Sequence, residues 1–299
     1  LDATDVTAVN GGVLLAVSGG GNIVVDMISG SANSVSGGNA IKLDTTGDIT
    51  IDGALTATAA VDLNIDVDPT NVSVLAAVTA TGDVTITASN DVTIGAFTVQ
   101  ADSDMTGGGT LSITADDDTD DSGDLTAASG STLRGHTVAL GGENVTTDAV
   151  TADTGDATIT ADNEVTMNAA TVATVANVVV TAADDDVNIN AAVTAGTNVD
   201  IEATAGDILQ STGDIQAGTD VELDAATTVD LDGTIGAGTA IGGDVRINTN
   251  LSGAVMIDGD VTSDGNVTIN SATSIAIGAV TVRADADTAG GGTLSITAD

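Results

Sequence analysis

The chain repeats itself, and the repeat limits what it can fold into. Residues 81–116 read TGDVTITASNDVTIGAFTVQADSDMTGGGTLSITAD, and residues 264–299 read DGNVTINSATSIAIGAVTVRADADTAGGGTLSITAD. They align without a gap at an offset of 183, with 22 of 36 positions identical. Further back, Ile41–Lys42–Leu43–Asp44 matches Val221–Glu222–Leu223–Asp224 at an offset of 180. A shorter period sits inside the long one. An apolar–polar–apolar triplet recurs at Val84, Leu111, Val138, Ala157, Val178, Val199, Val221, Val245, Val267 and Leu294, and its first eight steps span the 183 residues. Earlier members are expected near Leu63 and Ile41, and less clearly near Ile23 and Val6. A second triplet follows about eight residues on, as at Val92–Thr93–Ile94 and Val229–Asp230–Leu231. A third often comes next, as at Phe97–Thr98–Val99 and Val280–Thr281–Val282. Gly, Asn, Asp, Ser and Thr separate the triplets, as turns require.

Strict alternation gives each triplet one buried and one wet face. A single coil of such strands has too little apolar surface to offset the entropy of ordering it. Stacked coils share a continuous core, so the expected fold is an all-β parallel β-helix (β-solenoid). Its coils hold about 23 residues, eight of them to each 183-residue repeat. Residues 1–40 read as less regular leading coils, 41–220 as one long repeat, and 221–299 as a partial second repeat. About 13 coils at roughly 4.8 Å make a rod of roughly 60 Å, in which a long repeat adds about 38 Å. Starting at Leu1 and stopping within a strand motif, the sequence reads as cut from a longer polypeptide.

Composition fits a thin tube. Phe97 is the only aromatic residue, yet 42% of residues are hydrophobic. Wide cores rely on aromatics, so this core must be narrow. Formal net charge is −40, with Lys42, Arg134, Arg246 and Arg283 the only Lys or Arg residues. Phosphate binding needs basic patches, so no nucleic acid partner is expected. An anionic membrane surface would repel the chain, and no segment is long enough to insert into a bilayer as a helix. With no cysteine, the chain offers no disulfide framework.

Carboxylates supply the candidate sites. The acidic runs Asp116, Asp117, Asp118, Asp120, Asp121 and Asp184, Asp185, Asp186 could hold calcium through hard oxygen ligands. Neither an EF-hand nor a GGxGxDxUx nonapeptide is present, so a solvated loop is the competing reading. The residues preceding the first triplets, including Asp83, Asp156, Asn177, Asn198, Asp220, Asp244 and Asn266, read as a polar turn ladder. His136, with Arg134, reads as turn decoration, and Pro69 as a residue between strands. The triple glycines at 107–109 and 290–292 read as equivalent loops. Sequons begin at Asn71, Asn144, Asn250 and Asn266. Outward Thr-x-Thr pairs suggest a flat hydroxyl array, but Asp200/Glu202 and Glu222/Asp224 interrupt it. Catalysis is not expected. A cleft lined by several carboxylates and an arginine would be the mark of a carbohydrate-active β-helix enzyme.

At GDVTIT, NDVTIG, GDATIT, GNVTIN and GTLSITA the chain resembles the strand repeats of giant bacterial surface proteins, the filamentous-haemagglutinin-like adhesins. The resemblance covers most of residues 41–299. It implies a right-handed parallel β-helix, export to the cell surface and a shaft role in adhesion or filament building. The expected partners are copies of itself, end-to-end or lateral, and a cell surface or matrix. The alternative is a calcium-binding adhesin module that bridges chains through its acidic loops.

Overall fold

Triplets of this kind can bury their apolar edge only against their own equivalents, and the backbone pairs them that way. The computed structural model describes residues 1–8, 12–18, 20–30, 39–57, 62–65, 70–106, 108–117, 122–238, 243–250, 253–288 and 291–299. They fall into two compact units, Leu1–Asp153 and Thr154–Asp299. Among the described residues no segment is helical, and no helix is long and apolar enough to cross a membrane.

In the first unit one turn of the coil runs through Val84–Thr87, Val92–Ile94 and Thr98–Gln100, then re-enters at Thr110–Thr114. These strands belong to three different sheets, called here the third, first and second. Val84–Thr87 pairs in parallel with Thr110–Thr114, Val84 opposite Leu111 and Ile86 opposite Ile113. Val92–Ile94 pairs with Leu125–Ala127, and Thr98–Gln100 with Thr132–Gly135. The second unit is built the same way. There Val178–Ala182, Val199–Ala203, Val221–Ala225, Val245–Thr249, Val267–Ser271 and Leu294–Ala298 stack in order in the third sheet. Each unit is therefore a parallel β-solenoid, as the repeat requires.

In-register stacking puts like over like. Val180, Ile201 and Leu223 follow one another along the inside of the third sheet, and all are fully buried. Val165, Val187 and Ile208 do the same in the first sheet, and Val193 and Ile215 in the second. Three short inward faces meet across a narrow interior, so aliphatic side chains fill it. The single aromatic is not needed there: Phe97 is 43% exposed.

Two expectations need correction. The third-sheet strand before Ile41 is Val13–Val17, with Val13 opposite Ile41, whereas Ile23 and Val6 belong to the first and second sheets. The run VLLAV hides its phase because Leu14, pointing outward at 53% exposure, is as apolar as its inward neighbours. The strand read as Val280–Thr281–Val282 is Val282–Arg283, and the one read as Phe97–Thr98–Val99 is Thr98–Gln100. Phe97 sits in the bend before it, its amide donating to the Gly95 carbonyl at 2.7 Å.

The identity of the two long repeats has a steric cause at their loops. Asp102 and Met105 adopt positive φ in one, and Asp285 and Thr288 in the other. Gly109 lies so close to Gly82 that a Cβ would stand 2.3 Å from the Gly82 carbonyl oxygen, and Gly292 repeats this against Gly265 at 2.0 Å. No side chain fits at either position. Gly107, Gly290 and Pro69 lie outside the described residues.

Truncating the core measures how closely it packs. Ile201→Ala should cost about 2–5 kcal/mol in urea unfolding, and Ile201→Val about 0.5–1.5 kcal/mol. Costs near zero for both would contradict a close-packed interior.

Candidate functional site

At each corner the chain must turn without leaving its backbone amides unpaired. The second unit meets this need with side chains. Asp156 Oδ1 accepts the Asn177 backbone N–H at 2.9 Å, Asn177 Oδ1 that of Asn198 at 3.2 Å, and Asn198 Oδ1 that of Asp220 at 3.2 Å. Asp220 Oδ1 then accepts from Asp244 at 2.8 Å, Asp244 Oδ1 from Asn266 at 2.8 Å, and Asn266 Oδ1 from Thr293 at 2.9 Å. Each bond climbs one coil. Each corner residue also returns a bond through its own carbonyl, as when Val199 N–H donates to Asp220 O at 2.9 Å. The first unit uses the same device at Asn22–Asp48, Asn71–Asp91 and Asp91–Asp124 in its first sheet, and at Asp83–Thr110 in its third. The polar ladder expected from sequence is thus a structural one, and it explains why Asp and Asn alternate freely there. The atom that accepts the next backbone N–H is Oδ1, and both residues have it.

The ladder also occupies sequon asparagines. Asn71, Asn144 and Asn266 donate their side-chain amides to Asp48, Asp124 and Asp244 respectively.

The acidic runs are less concerted than their spacing suggests. Asp116 is buried and has positive φ, while Asp117 is exposed. Asp118, Asp120 and Asp121 lie outside the described residues. In the second unit Asp184 and Asp185 are exposed turn residues. Asp186 is a corner acceptor, taking the Asp207 N–H at 2.8 Å. Arg134 lies within the strand Thr132–Gly135 rather than in a turn. It is held by Asp153 through two bonds of 2.9 Å, which stabilise its charge. Its neighbour His136 does lie at the bend, as expected.

A denser feature lies on the outer face of the third sheet in the second unit. Register sets Asp200 against Glu222 and Glu202 against Asp224 on adjacent strands, with Arg246 next to Glu222. A depression of about 200 Å³ opens there, lined by Asn177, Asn198, Asp200, Asp220, Glu222 and Arg246 among others. Asp200 remains exposed, yet its neighbours strip enough water from the carboxyl to raise its pKa, and Asp224 adds to the rise. Desolvation likewise raises Glu222, helped by Asp224 and opposed by Arg246. Spacing within each strand showed that these carboxylates point outward. It did not show that they share a concavity with an arginine, which depends on the register between strands.

The regular hydroxyl column lies elsewhere. On the first sheet of the first unit, Thr50, Ser73, Thr93, Thr126 and Thr146 follow one another in register. Third-sheet triplets alone could not reveal it.

Two outcomes follow. Asp220→Asn keeps the acceptor and removes a negative charge beside Glu222, so unfolding free energy at pH 7 should hold or rise. Asp220→Ala leaves the Asp244 amide without that acceptor and should cost about 1 kcal/mol. The second outcome concerns pH. Desolvation is the first cause raising Asp186, Asp200, Glu222 and Asp230, so the folded state holds their protons more tightly than the unfolded state does. The penalty for ionising them is absent below the ordinary carboxylate range and complete once pH exceeds their raised folded values. Stability therefore falls with rising pH. In melts followed from below the ordinary carboxylate range up to pH 7, the contribution of these groups should fall as they ionise, and Asp200→Asn with Glu222→Gln should flatten that fall.

Compared with known protein families, curated proteins and solved structures, the chain matches none of them.

Proposed function

We propose that the chain is a non-catalytic shaft segment of an extracellular filament or giant surface adhesin. The observation that carries this reading is axial continuity. Within each unit strand follows strand in register, and side-chain bonds at the corners add a second line of coil-to-coil links. Adding coils lengthens such a structure without redesigning its core. The acidic surface keeps long copies soluble and apart from anionic surfaces. The partners of the shaft are other copies, end-to-end or lateral, and a cell surface or matrix. Electron microscopy of the purified chain should show thin straight rods, and aligned samples should diffract at roughly 4.8 Å along the rod axis. Compact globules would overturn the proposal. The calcium-bridging alternative has its own test: if melts in calcium and in chelator coincide at fixed ionic strength, calcium has no structural part.

The depression on the second unit favours a second reading, a site acting on glycans. Adjacent rungs lie about 4.8 Å apart, close to the roughly 5 Å that separates the two carboxyl groups of retaining glycosidases. Glu222 and Asp200, differing in their neighbours, would divide the roles of acid and nucleophile. Release of reducing ends from a polysaccharide panel, lost in Asp200→Asn and in Glu222→Gln, would support it. No product from any polysaccharide would remove it.

A further inference from the structure

The interior of the first unit is mostly aliphatic, and one corner between its first and second sheets breaks the pattern. Ser131 and Thr147 are both buried there. Neither Ser131 Oγ nor Thr147 Oγ1 has a hydrogen-bond partner among the described residues. A buried hydroxyl left unpaired carries the full cost of its lost hydration. Folded proteins rarely leave one so, and here two stand at the same corner.

Register brings the two hydroxyls together. Thr132 lies opposite Ala149, so Ser131 stands beneath Asp148, and Thr147 is the residue before Asp148. Ser131 and Thr147 are therefore diagonal neighbours across one rung. Rung and residue spacings set their Cα atoms roughly 6 Å apart. The two hydroxyls do not bond each other, yet one small molecule between them reaches both. The backbone holds this arrangement. Ser131 N–H closes a turn on the Ala128 carbonyl at 3.0 Å, and Gly130 adopts a positive φ of 90° within it. Gly130 N–H then donates to Asp148 Oδ2 at 2.6 Å, which ties the turn to the coil that carries Thr147.

Bulk also falls away at this point. Along the inside of the first sheet the column runs Ile51, Val74, Ile94, Ala127 and Thr147. Ala127 has three carbons fewer than Ile94 on the rung beneath. Those carbons fill more space than the roughly 30 Å³ that a water occupies in the liquid.

We infer that Ser131 and Thr147 bind one ordered water inside the first unit, which bridges Ser131 Oγ and Thr147 Oγ1 across the rung. Water suits this pair better than a cation does. Each hydroxyl brings a hydrogen that needs an acceptor, and water accepts as well as donates. A cation would leave both hydrogens without an acceptor. The bridge is the inner counterpart of the corner bonds: it links one coil to the next where the aliphatic column offers no side-chain hydrogen bond. The site does not depend on the shaft reading.

The sign of one substitution tests it. With the water in place, Thr147→Val removes a satisfied hydroxyl and breaks the bridge, so the urea midpoint of the chain should fall. In a dry interior the same change would relieve an unpaired hydroxyl and raise the midpoint, and a rise overturns the inference. Ser131→Ala should lower the midpoint as well. The double variant should lower it by clearly less than the two shifts added together, because a single bridge is lost once. Additive shifts overturn a shared site. A high-resolution crystal structure of the wild type requires no variant to fold. It should show one water within hydrogen-bonding distance of both hydroxyls. A metal ion in that place, or hydroxyls with no water between them, overturns the inference.

Discussion

The structure depends on the parallel, in-register bond between one coil and the next. It joins equivalent residues about 4.8 Å apart, and it uses the backbone donors and acceptors that three-residue strands cannot satisfy alone. Everything else adapts to it. The inside must accept like over like, which suits Val, Ile, Leu and Ala because aliphatic side chains stack without directional demands. Val180, Ile201 and Leu223 show this along the third sheet. The corners must turn sharply while still passing a bond to the next coil, and Asp and Asn do so through Oδ1.

The same constraint brings like charges together. Two carboxylates one rung apart repel by roughly 1 kcal/mol in water. The corners of the second unit soften this repulsion because each Oδ1 there already faces a backbone N–H, as at Asp220 and Asp244. On the outer face no backbone N–H plays that part, and relief comes from side chains, as when the Asn248 amide donates to Asp224 Oδ1 at 2.7 Å. Asp200 stacks on Glu222 and Glu202 on Asp224 with no amide between them, and Arg246 supplies the nearby positive charge. In-register stacking thus creates the acidic depression as a by-product, whether or not a ligand makes use of it. The column Thr50–Ser73–Thr93–Thr126–Thr146 comes from the same stacking where the outward residues carry hydroxyls instead of charges.

The fold was legible because its period is written twice, once in the triplets and once in the 183-residue repeat. Alternation fixed which residues face inward, and spacing fixed which strands stack. Phase was lost where polarity did not alternate. Leu14 is apolar and exposed, so VLLAV concealed the strand beneath Ile41. Phe97 looked inward by composition, yet the chain bends there. Gln210 was hidden for the opposite reason. It occupies an inward position between Ile189 and Leu231, fully inside, with its amide donating to the Gly213 carbonyl at 2.7 Å. A polar residue at an apolar rung reads as a strand end. The candidate site was less legible than the fold, because each carboxylate belongs to a different coil and only the register sets them side by side.

A tube of this kind separates two properties that globular domains combine. Its cross-section is set by short strands and small side chains, so the core cannot grow wider and gains nothing from aromatics. Its length is set only by the number of coils. Stability accrues along the axis, one interface at a time, and every interior rung is covered on both sides. A rung covered on one side keeps the sequence of an interior rung without its burial, as the paired fates of Ile113 and Ile296 show: fully buried in one case, 44% exposed in the other. The surplus apolar surface at such a rung is the same surface that holds the interior together.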